Sequence, residues 1–353
     1  MATYRLALAV LVALAVLGGC SHKEAPRPEA ATETAATEPG EGEHDPCALI
    51  EPKEAEAALG APLATPPFRY GTGKPSAGGD TCVYQDSHFH NIQVSVDWDG
   101  GAMVWKMMGT FGSMANKGPA KGMLHLADGS DISGEWDEAR VQNCCTFKAL
   151  RGDQIVTVDF GGTVGTQVAQ AAQLADAGLK RLEQPLSIDG AAAVAAALAY
   201  DKAHRPTRLD PCALLPRADL EALLRAPLSA DPTSKGEVCT YMQGNQKLAP
   251  EIDVRVQWTD GFRKLREDAA LIRGFNKNFI PRDVQQATGV TADAEPKPDV
   301  NPAWEVAAPS VSMGMRGVRD DALVEVNVFG MNHEQTLALL AKAMSGLKLN
   351  SAP

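Results

Sequence analysis

Apolar and polar residues alternate in two stretches of the chain, Ile92 to Trp98 and Ile252 to Trp258. A period of two puts the apolar side chains on one face, as a half-buried β-strand requires. Each stretch leads through a Gly-containing turn, Asp99-Gly100-Gly101 or Asp260-Gly261, into apolar residues at helical spacing. The pattern predicts a strand, a turn and an amphipathic helix, in that order, at two places.

Both of these middle helices carry an apolar stripe. The stripe positions are Val104, Met107, Met108, Phe111 and Met114 in the first helix, and Phe262, Leu265, Ala269, Ile272 and Phe275 in the second. We interpret both stripes as facing the core. The alternative for the methionines is an adaptable groove for a partner, because Met side chains fit irregular surfaces.

Short motifs recur in the same order in two parts of the chain, which indicates an internal duplication. The matches include Asp45-Pro46-Cys47-Ala48-Leu49-Ile50 with Asp210-Pro211-Cys212-Ala213-Leu214-Leu215, Cys82-Val83-Tyr84 with Cys239-Thr240-Tyr241, and Trp136-Asp137-Glu138-Ala139 with Trp304-Glu305-Val306-Ala307. The period of about 160 residues is far longer than that of solenoid repeats. We therefore predict two homologous domains, 45–186 and 208–350, joined by an interdomain linker at 187–207.

The two halves contain the same predicted elements. Each half has an opening helix, a hairpin after the middle helix, and a closing helix; these are Pro52 to Gly60, 140–160 and 166–182 in the first half, and Pro216 to Leu224, 311–329 and 334–347 in the second. Strands grouped between helices predict an α+β fold, with a mainly antiparallel sheet flanked by N-terminal, middle and C-terminal helices. The Ala-rich stretch Gly190 to Tyr200 either continues the first closing helix or forms a stiff spacer.

Residues 1–19 have the composition of a secretory signal peptide. Arg5 is followed by an apolar run from Leu6 to Leu17, which is too short to span a bilayer. The run ends in Leu17-Gly18-Gly19-Cys20, which resembles the bacterial lipobox. The resemblance implies that Cys20 becomes the lipidated N-terminus, held in the membrane by acyl chains such as palmitate. An ordinary secretory signal with a chance cysteine is the alternative.

Residues 20–44 contain the lipidated Cys20 and then a tether rich in Ala, Glu, Pro and Thr. Such a composition is typical of a disordered segment, with a reach of roughly 25 to 30 Å as a coil. Ser21, rather than Asp, follows Cys20. In a Gram-negative cell, the resemblance to sorted lipoproteins implies an outer-membrane protein facing the periplasm, whose membrane contact is made through the N-terminal lipid.

The composition narrows the class of partner. The chain has 353 residues and a formal net charge of -11, without a block of Lys or Arg. Nucleic-acid binding rests mainly on clustered positive charge, so nucleic acid is excluded as a partner. The single long apolar run also excludes a polytopic membrane protein.

Four of the seven cysteines occupy equivalent places in the two halves, Cys47 with Cys82 and Cys212 with Cys239. In an oxidising envelope we expect both pairs to be disulfides. Cys144 and Cys145 have no cysteine counterparts, because Ser312 and Met313 occupy the equivalent positions. This candidate vicinal thiol pair forms a strained disulfide, remains as inert thiols, or serves redox or soft-metal chemistry.

The motif Asp-Pro-Cys-Ala-Leu-Leu at 210–215, the later Cys239-Thr240-Tyr241 and the closing amphipathic helix resemble an uncharacterised lipoprotein domain of actinobacterial envelopes. The resemblance covers both halves. It implies an extracytoplasmic α+β domain with a disulfide between a helix and a strand, and it brings no catalytic residues. The duplication and the pair Cys144-Cys145 depart from the family pattern.

Two histidines, His88 and His90, are placed on one side of an extended segment, at a spacing suited to metal ligation. We interpret them as a polar loop tip, because the second half has no equivalent, and predict no metal site. The carboxylates of Asp97, Asp99, Asp128 and Asp131 are interpreted as solvated turns. The chain also lacks the nucleophile elbow, zinc-protease and phosphate-loop motifs.

We therefore predict a lipid-anchored envelope protein whose tandem modules bind an envelope protein or a small ligand, without catalysis and without a cofactor. The favoured surfaces are the cleft between the domains and the faces carrying Trp98 and Trp258. The alternatives are a thiol or metal handling protein that uses Cys144 and Cys145, an envelope enzyme, and an inhibitor or immunity protein.

Overall fold

The structure, a computed structural model, describes residues 44–117, 126–128, 132–142, 145–162, 168–243, 251–268, 298–310, 314–328 and 331–348. The signal peptide, Cys20, nearly all of the tether and Cys144 lie outside the described residues. No helix among the residues described has the length and apolar character needed to cross a membrane.

The first half forms one antiparallel sheet with helices. Its elements are a 3₁₀ turn Pro46–Ala48, α1 Pro52–Leu59, β1 Phe68–Gly71, β2 Lys74–Pro75, β3 Thr81–Gln85, β4 Asn91–Asp97, α2 Gly101–Lys117, β5 Leu126–Asp128, β6 Glu138–Gln142, β7 Thr146–Arg151, β8 Gln154–Gly162 and α3 Val168–Arg181. The strand order is β2-β1-β3-β4-β8-β7-β6-β5. All of the strand pairs are antiparallel.

The linker region and the second half follow. Their elements are α4 Gly190–His204, a 3₁₀ turn Pro211–Ala213, α5 Arg217–Leu224, β9 Thr233–Lys235, β10 Val238–Met242, β11 Glu251–Gln257, α6 over 261–268, β12 Pro298–Asn301, β13 Trp304–Pro309, β14 Gly314–Arg319, β15 Ala322–Val328 and α7 His333–Ser345. The strand order is β12-β13-β14-β15-β11-β10-β9. Apart from the added β2, this order matches that of the first sheet strand for strand. The α+β fold with two antiparallel sheets is therefore confirmed.

Local signals in the sequence set the ends of several helices. Glu51 and Glu54 form a capping box at the start of α1, and Pro52 occupies its first turn. Gly60 ends α1 with φ 75°, a left-handed conformation that glycine adopts without strain. The predicted capping box at the start of α7 is also present, since Asn332 and Gln335 each bond the other's backbone N–H.

Each sheet is covered by helices on both faces. One face of the first sheet packs against α1 and α3, and the equivalent face of the second packs against α5 and α7. On the opposite faces, Trp105 of α2 packs on Leu150 and Ile155, and Phe262 of α6 lies in a cluster with Val318 and other strand residues. The predicted stripe on α2 is wrong at Met107, which is 51% exposed, whereas Trp105 is buried.

The recurring Pro-Cys and Cys-x-Tyr motifs attach the start of each half to its sheet. Disulfides join Cys47 to Cys82 and Cys212 to Cys239, as predicted. The buried hydroxyl of Tyr84 donates a hydrogen bond to the carbonyl of Ile50, 3.1 Å away. In the second half, the hydroxyl of Tyr241 donates to the carbonyl of Leu215. Burial raises the pKa of both tyrosines, so both hydroxyls remain protonated donors.

The linker contains a helix that packs against the first sheet. Residues 182–189 separate α3 from α4, so the Ala-rich stretch does not continue the closing helix. Ala193 and Ala197 lie one turn apart on α4 and are buried against Phe68 and Val83 of the first sheet. Because alanine is small, the helix axis approaches the sheet closely at this point.

We expect the fragment 45–207 to be more stable than the fragment 45–186. Removing α4 exposes Phe68 and Val83, and the burial of such a side chain contributes about 1.5 to 3 kcal/mol. Urea unfolding of both fragments measures the difference, with the fragment 208–350 as a test of independent folding. Equal unfolding free energies for 45–186 and 45–207 would contradict a stabilising role for α4. Failure of both halves to fold alone would mean that they share one core.

Candidate functional site

The loop between β3 and β4 is a tight turn organised by Asp86. The Asp86 Oδ1 atom accepts hydrogen bonds from the backbone N–H groups of His88 and His90, at 2.8 and 2.9 Å. Phe89, between the two histidines, is buried and has φ 62°, a left-handed conformation that costs a bulky residue about 1 to 3 kcal/mol. The segment from His88 to His90 is therefore a turn, and the prediction that it is extended is wrong. The strained turn directs the loop toward the second half of the chain.

His90 lies at the contact between the halves. Its Nδ1 atom is 2.8 Å from the Asp86 Oδ2 atom, and its ring packs edge-on against Phe262 of α6. The Nε2 atom is buried, has no hydrogen-bond partner among the described residues and lies 3.6 Å from the Glu305 Oε2 atom. Burial by itself would lower the pKa of His90, but the hydrogen bond to Asp86 and the charges of Asp86 and Glu305 together raise it.

Glu305 is held by the turn between β14 and β15. Its Oε1 atom accepts a hydrogen bond from the backbone N–H of Asp320 at 2.8 Å. The first half has the equivalent contact, since Asp137 accepts from the N–H of Gly152 at 2.7 Å. The side chain of Glu305 is one methylene longer than that of Asp137. Its second oxygen, Oε2, faces the ring of His90. Burial raises the pKa of Glu305 above its usual value, partly offset by the hydrogen bond from Asp320.

His88, Glu305 and Asp320 converge across the contact between the halves. Each offers one ligand atom, and these atoms all lie within 4.8 Å of one another. With His90, whose Nε2 atom faces the same glutamate, they form what we call the junction cluster: His88, His90, Glu305 and Asp320. It contains two imidazoles from the first half and two carboxylates from the second.

A partly buried arginine just after the end of α4 lies beside this cluster. The Arg205 Nη1 atom is 2.9 Å from the Asp321 Oδ2 atom, and its Nε atom is 3.1 Å from the Asp201 Oδ2 atom. The guanidinium also lies 4.5 Å from the centre of the Phe89 ring, in a cation–π arrangement. Arg205 thus contacts the first half through Phe89 and the second half through Asp321.

Asp321 occupies the same structural position as Asp153 of the first half. Asp153 accepts hydrogen bonds from the backbone of Gly100 and Ala102 at the start of α2. Asp321 accepts the equivalent bonds from Asp260 and Phe262 at the start of α6. Asp153 is exposed, whereas Asp321 is 1% exposed. Burial raises the pKa of Asp321 to about 6, although the nearby Arg205 opposes this rise.

A groove of about 250 Å³ between α1 and α3 is the other concave feature of interest. Its lining includes Gln170, Gln173 and Glu54. The Glu54 carboxylate is engaged by Arg181, with contacts of 2.7 and 2.9 Å. The groove therefore brings together no set of titratable groups comparable with the junction cluster.

The cysteine and tryptophan residues proposed from the sequence as site residues do not lie together in the structure. Cys145 is buried and disulfide-bonded, and its neighbour Cys144 lies outside the described residues, so the thiol-handling alternative stays a prediction. Trp258 is buried in the core of the second half, so it does not form a binding face. Trp98 is partly buried and stacks on His44, with ring centres 4.7 Å apart.

Glu305, Asp320 and Arg205 were missed as site residues. The sequence did contain a signal for Asp320, because the repeat makes it the equivalent of Gly152 in the hairpin turn of the first half. Both residues have positive φ, 46° and 61°. A carboxylate retained where the duplicated copy has glycine indicates a residue kept for its side chain.

Comparison with known protein families, with curated proteins and with solved structures found no match.

Proposed function

We propose that this protein is a lipid-anchored lipoprotein of the bacterial cell envelope, whose tandem α+β modules bind an envelope protein or a small ligand without catalysis. It is secreted by the signal peptide 1–19, acylated at Cys20 and presented to the periplasm by the tether 20–44. The inner leaflet of the outer membrane is the proposed location. Membership of the actinobacterial lipoprotein family belongs to the same proposal.

One observation supports a binding role: the polar groups that the two halves share form hydrogen bonds within their own half, so they are occupied by structural contacts. Asp45 and Asp210 each accept the N–H two residues on, at 2.8 Å in both halves. The equivalent tyrosines donate to backbone carbonyls, and the paired cysteines are oxidised. These groups build the framework. Groups that differ between the halves meet at the junction cluster, which favours recognition there over duplicated catalytic sites.

The anchoring part of the proposal predicts that Cys20→Ala abolishes acylation. Cells expressing wild-type or variant protein are fed an alkyne fatty acid, and the immunoprecipitated chain is coupled to a fluorophore. Wild type is expected to carry label, and the variant to carry none and to accumulate as precursor, because the thiol that receives the lipid is missing. Cys145→Ala is the control and is expected to label as wild type. Absence of label on wild type would contradict the anchor.

The non-catalytic part is tested by turnover assays on the purified mature protein. Ester, phosphoester, glycoside and peptide substrates are expected to show no turnover above a boiled sample. In-cell crosslinking followed by affinity capture is expected to give a saturable partner. Turnover that disappears on substitution of one Asp, His or Ser would overturn the proposal in favour of the enzyme alternative.

A further inference from the structure

We propose that the junction cluster binds one divalent transition-metal ion of the zinc class, through His88 and His90 of the first half and Glu305 and Asp320 of the second. The site goes beyond the proposed binding function, because it does not depend on the lipid anchor or on a partner. The ion joins the two halves of the chain.

The donor set suits this class of ion. Two imidazole nitrogens and two carboxylate oxygens provide four ligands of the kinds that zinc takes in proteins, at bond lengths of about 2.1 Å. Calcium and magnesium prefer all-oxygen sites, which imidazoles do not supply. A tetrahedral arrangement needs ligand atoms about 3.4 Å apart, and those of His88, Glu305 and Asp320 lie within 4.8 Å of one another. The His88 side chain is exposed, so it can rotate to bring its ring nitrogen closer to the two carboxylates.

The groups around the ligands are arranged as a second coordination shell requires. Metal-bound histidines usually donate their other ring N–H to a carboxylate, which fixes the tautomer. The His90 Nδ1 atom has this partner in Asp86 at 2.8 Å, so that in the neutral imidazole the proton is held at Nδ1 and the Nε2 lone pair is available to a metal ion. That Nε2 atom is buried, and no residue in the described part of the chain forms a hydrogen bond with it. Glu305 is likewise oriented through its Oε1 atom, which accepts from Asp320, and its Oε2 atom lies 3.6 Å from the His90 Nε2 atom.

Backbone strain at two residues of the junction is a second observation in favour of a metal site there. Phe89 and Asp320 both have positive φ, 62° and 46°. The duplicated half places Gly152 where Asp320 lies, and glycine adopts this conformation without strain. The strained residues position the ligands of the junction cluster, as expected where strain is kept for a binding function.

The test is isothermal titration of the full-length mature protein, stripped with EDTA, with zinc chloride. Wild type is expected to bind one ion saturably and to gain thermal stability. His88→Ala and Asp320→Gly are expected to weaken zinc binding by more than about tenfold. Asp320→Gly places glycine at a left-handed position, so the variant folds, and its thermal stability without zinc is expected to equal or exceed that of wild type.

Two matched controls separate the site from zinc bound at surface groups. Asp137→Asn alters the first-half equivalent of Glu305, and His333→Ala removes an exposed histidine elsewhere; both are expected to keep the wild-type affinity. The proposal is overturned if wild type shows no saturable binding, if His88→Ala and Asp320→Gly bind zinc as wild type does, or if calcium binds more tightly than zinc.

Discussion

Replacing Arg205 with methionine is expected to lower the free energy of unfolding by about 3 to 5 kcal/mol. The variant keeps an unbranched side chain over Phe89 but removes the cation that faces Asp321. Asp321 is 1% exposed, so its carboxylate would be left buried without a counter-charge. The destabilisation reflects the cost of keeping that carboxylate charged without Arg205 or of protonating it, rather than a strong net contribution from the intact pair.

Arg217→Met is the matched control for this prediction. Arg217 also pairs with a carboxylate one helical turn away, Glu221, and with a distant one, Asp231. Here the distant carboxylate is 92% exposed, and exposed ion pairs contribute little to stability because water screens them. Urea unfolding of both variants measures the two effects. Equal losses for Arg205→Met and Arg217→Met would show that burial of Asp321 does not matter.

The elements that the sequence predicted well are those with local signals. The opening helix α1 has a capping box at Glu51 and Glu54 and a glycine stop at Gly60, so its ends could be placed from neighbouring residues alone. Alternation predicted β4 and β11, and the repeat then related these strands, the Cys-x-Tyr strands and the hairpin strands of one half to those of the other. The cysteine pairs followed from this equivalence, since a disulfide in one half implies the same bridge in its copy.

The predicted apolar stripe on α2 was wrong at one position, for a physical reason that acts beyond local pattern. On α2, successive residues are about 100° apart, so Val104, Trp105 and Met108 lie within one face and Met107 lies away from it. The large Trp105 ring, with its Nε1 atom donating to Glu138 at 2.6 Å, sets the buried face. The packing of α4 within the linker 187–207 was not predicted, because an Ala-rich helix shows no amphipathic pattern that would indicate its buried face.

The candidate site depends on contacts between the halves and had no local signature. His88 and His90 were interpreted as a loop tip because the second half has no matching histidines. Their partners, Glu305 and Asp320, lie on the other half and were read as strand and turn residues. The duplication itself contains the useful signal: where the copies share a position but differ in charge, as at Gly152 and Asp320, the difference marks a specialised surface.

Removing either disulfide is expected to destabilise its half by about 4 kcal/mol in the chain-entropy model. The bridges span 35 residues in Cys47–Cys82 and 27 in Cys212–Cys239. The closure term varies only with the logarithm of loop length, so the two losses are expected to be nearly equal. The double variants Cys47→Ala with Cys82→Ala, and Cys212→Ala with Cys239→Ala, are compared by urea unfolding.

Tyr84→Phe separates the disulfide from the hydrogen bond in the same motif. This variant keeps the bridge and the ring but removes the hydroxyl that donates to the Ile50 carbonyl, which costs about 1 to 3 kcal/mol when the acceptor is buried. The cysteine variants are therefore expected to lose more stability than Tyr84→Phe. If Tyr84→Phe is as damaging as loss of the bridge, the hydroxyl contact is the main attachment of the Pro-Cys turn to the sheet, and the shared tyrosine explains the recurring motif better than the shared cysteines do.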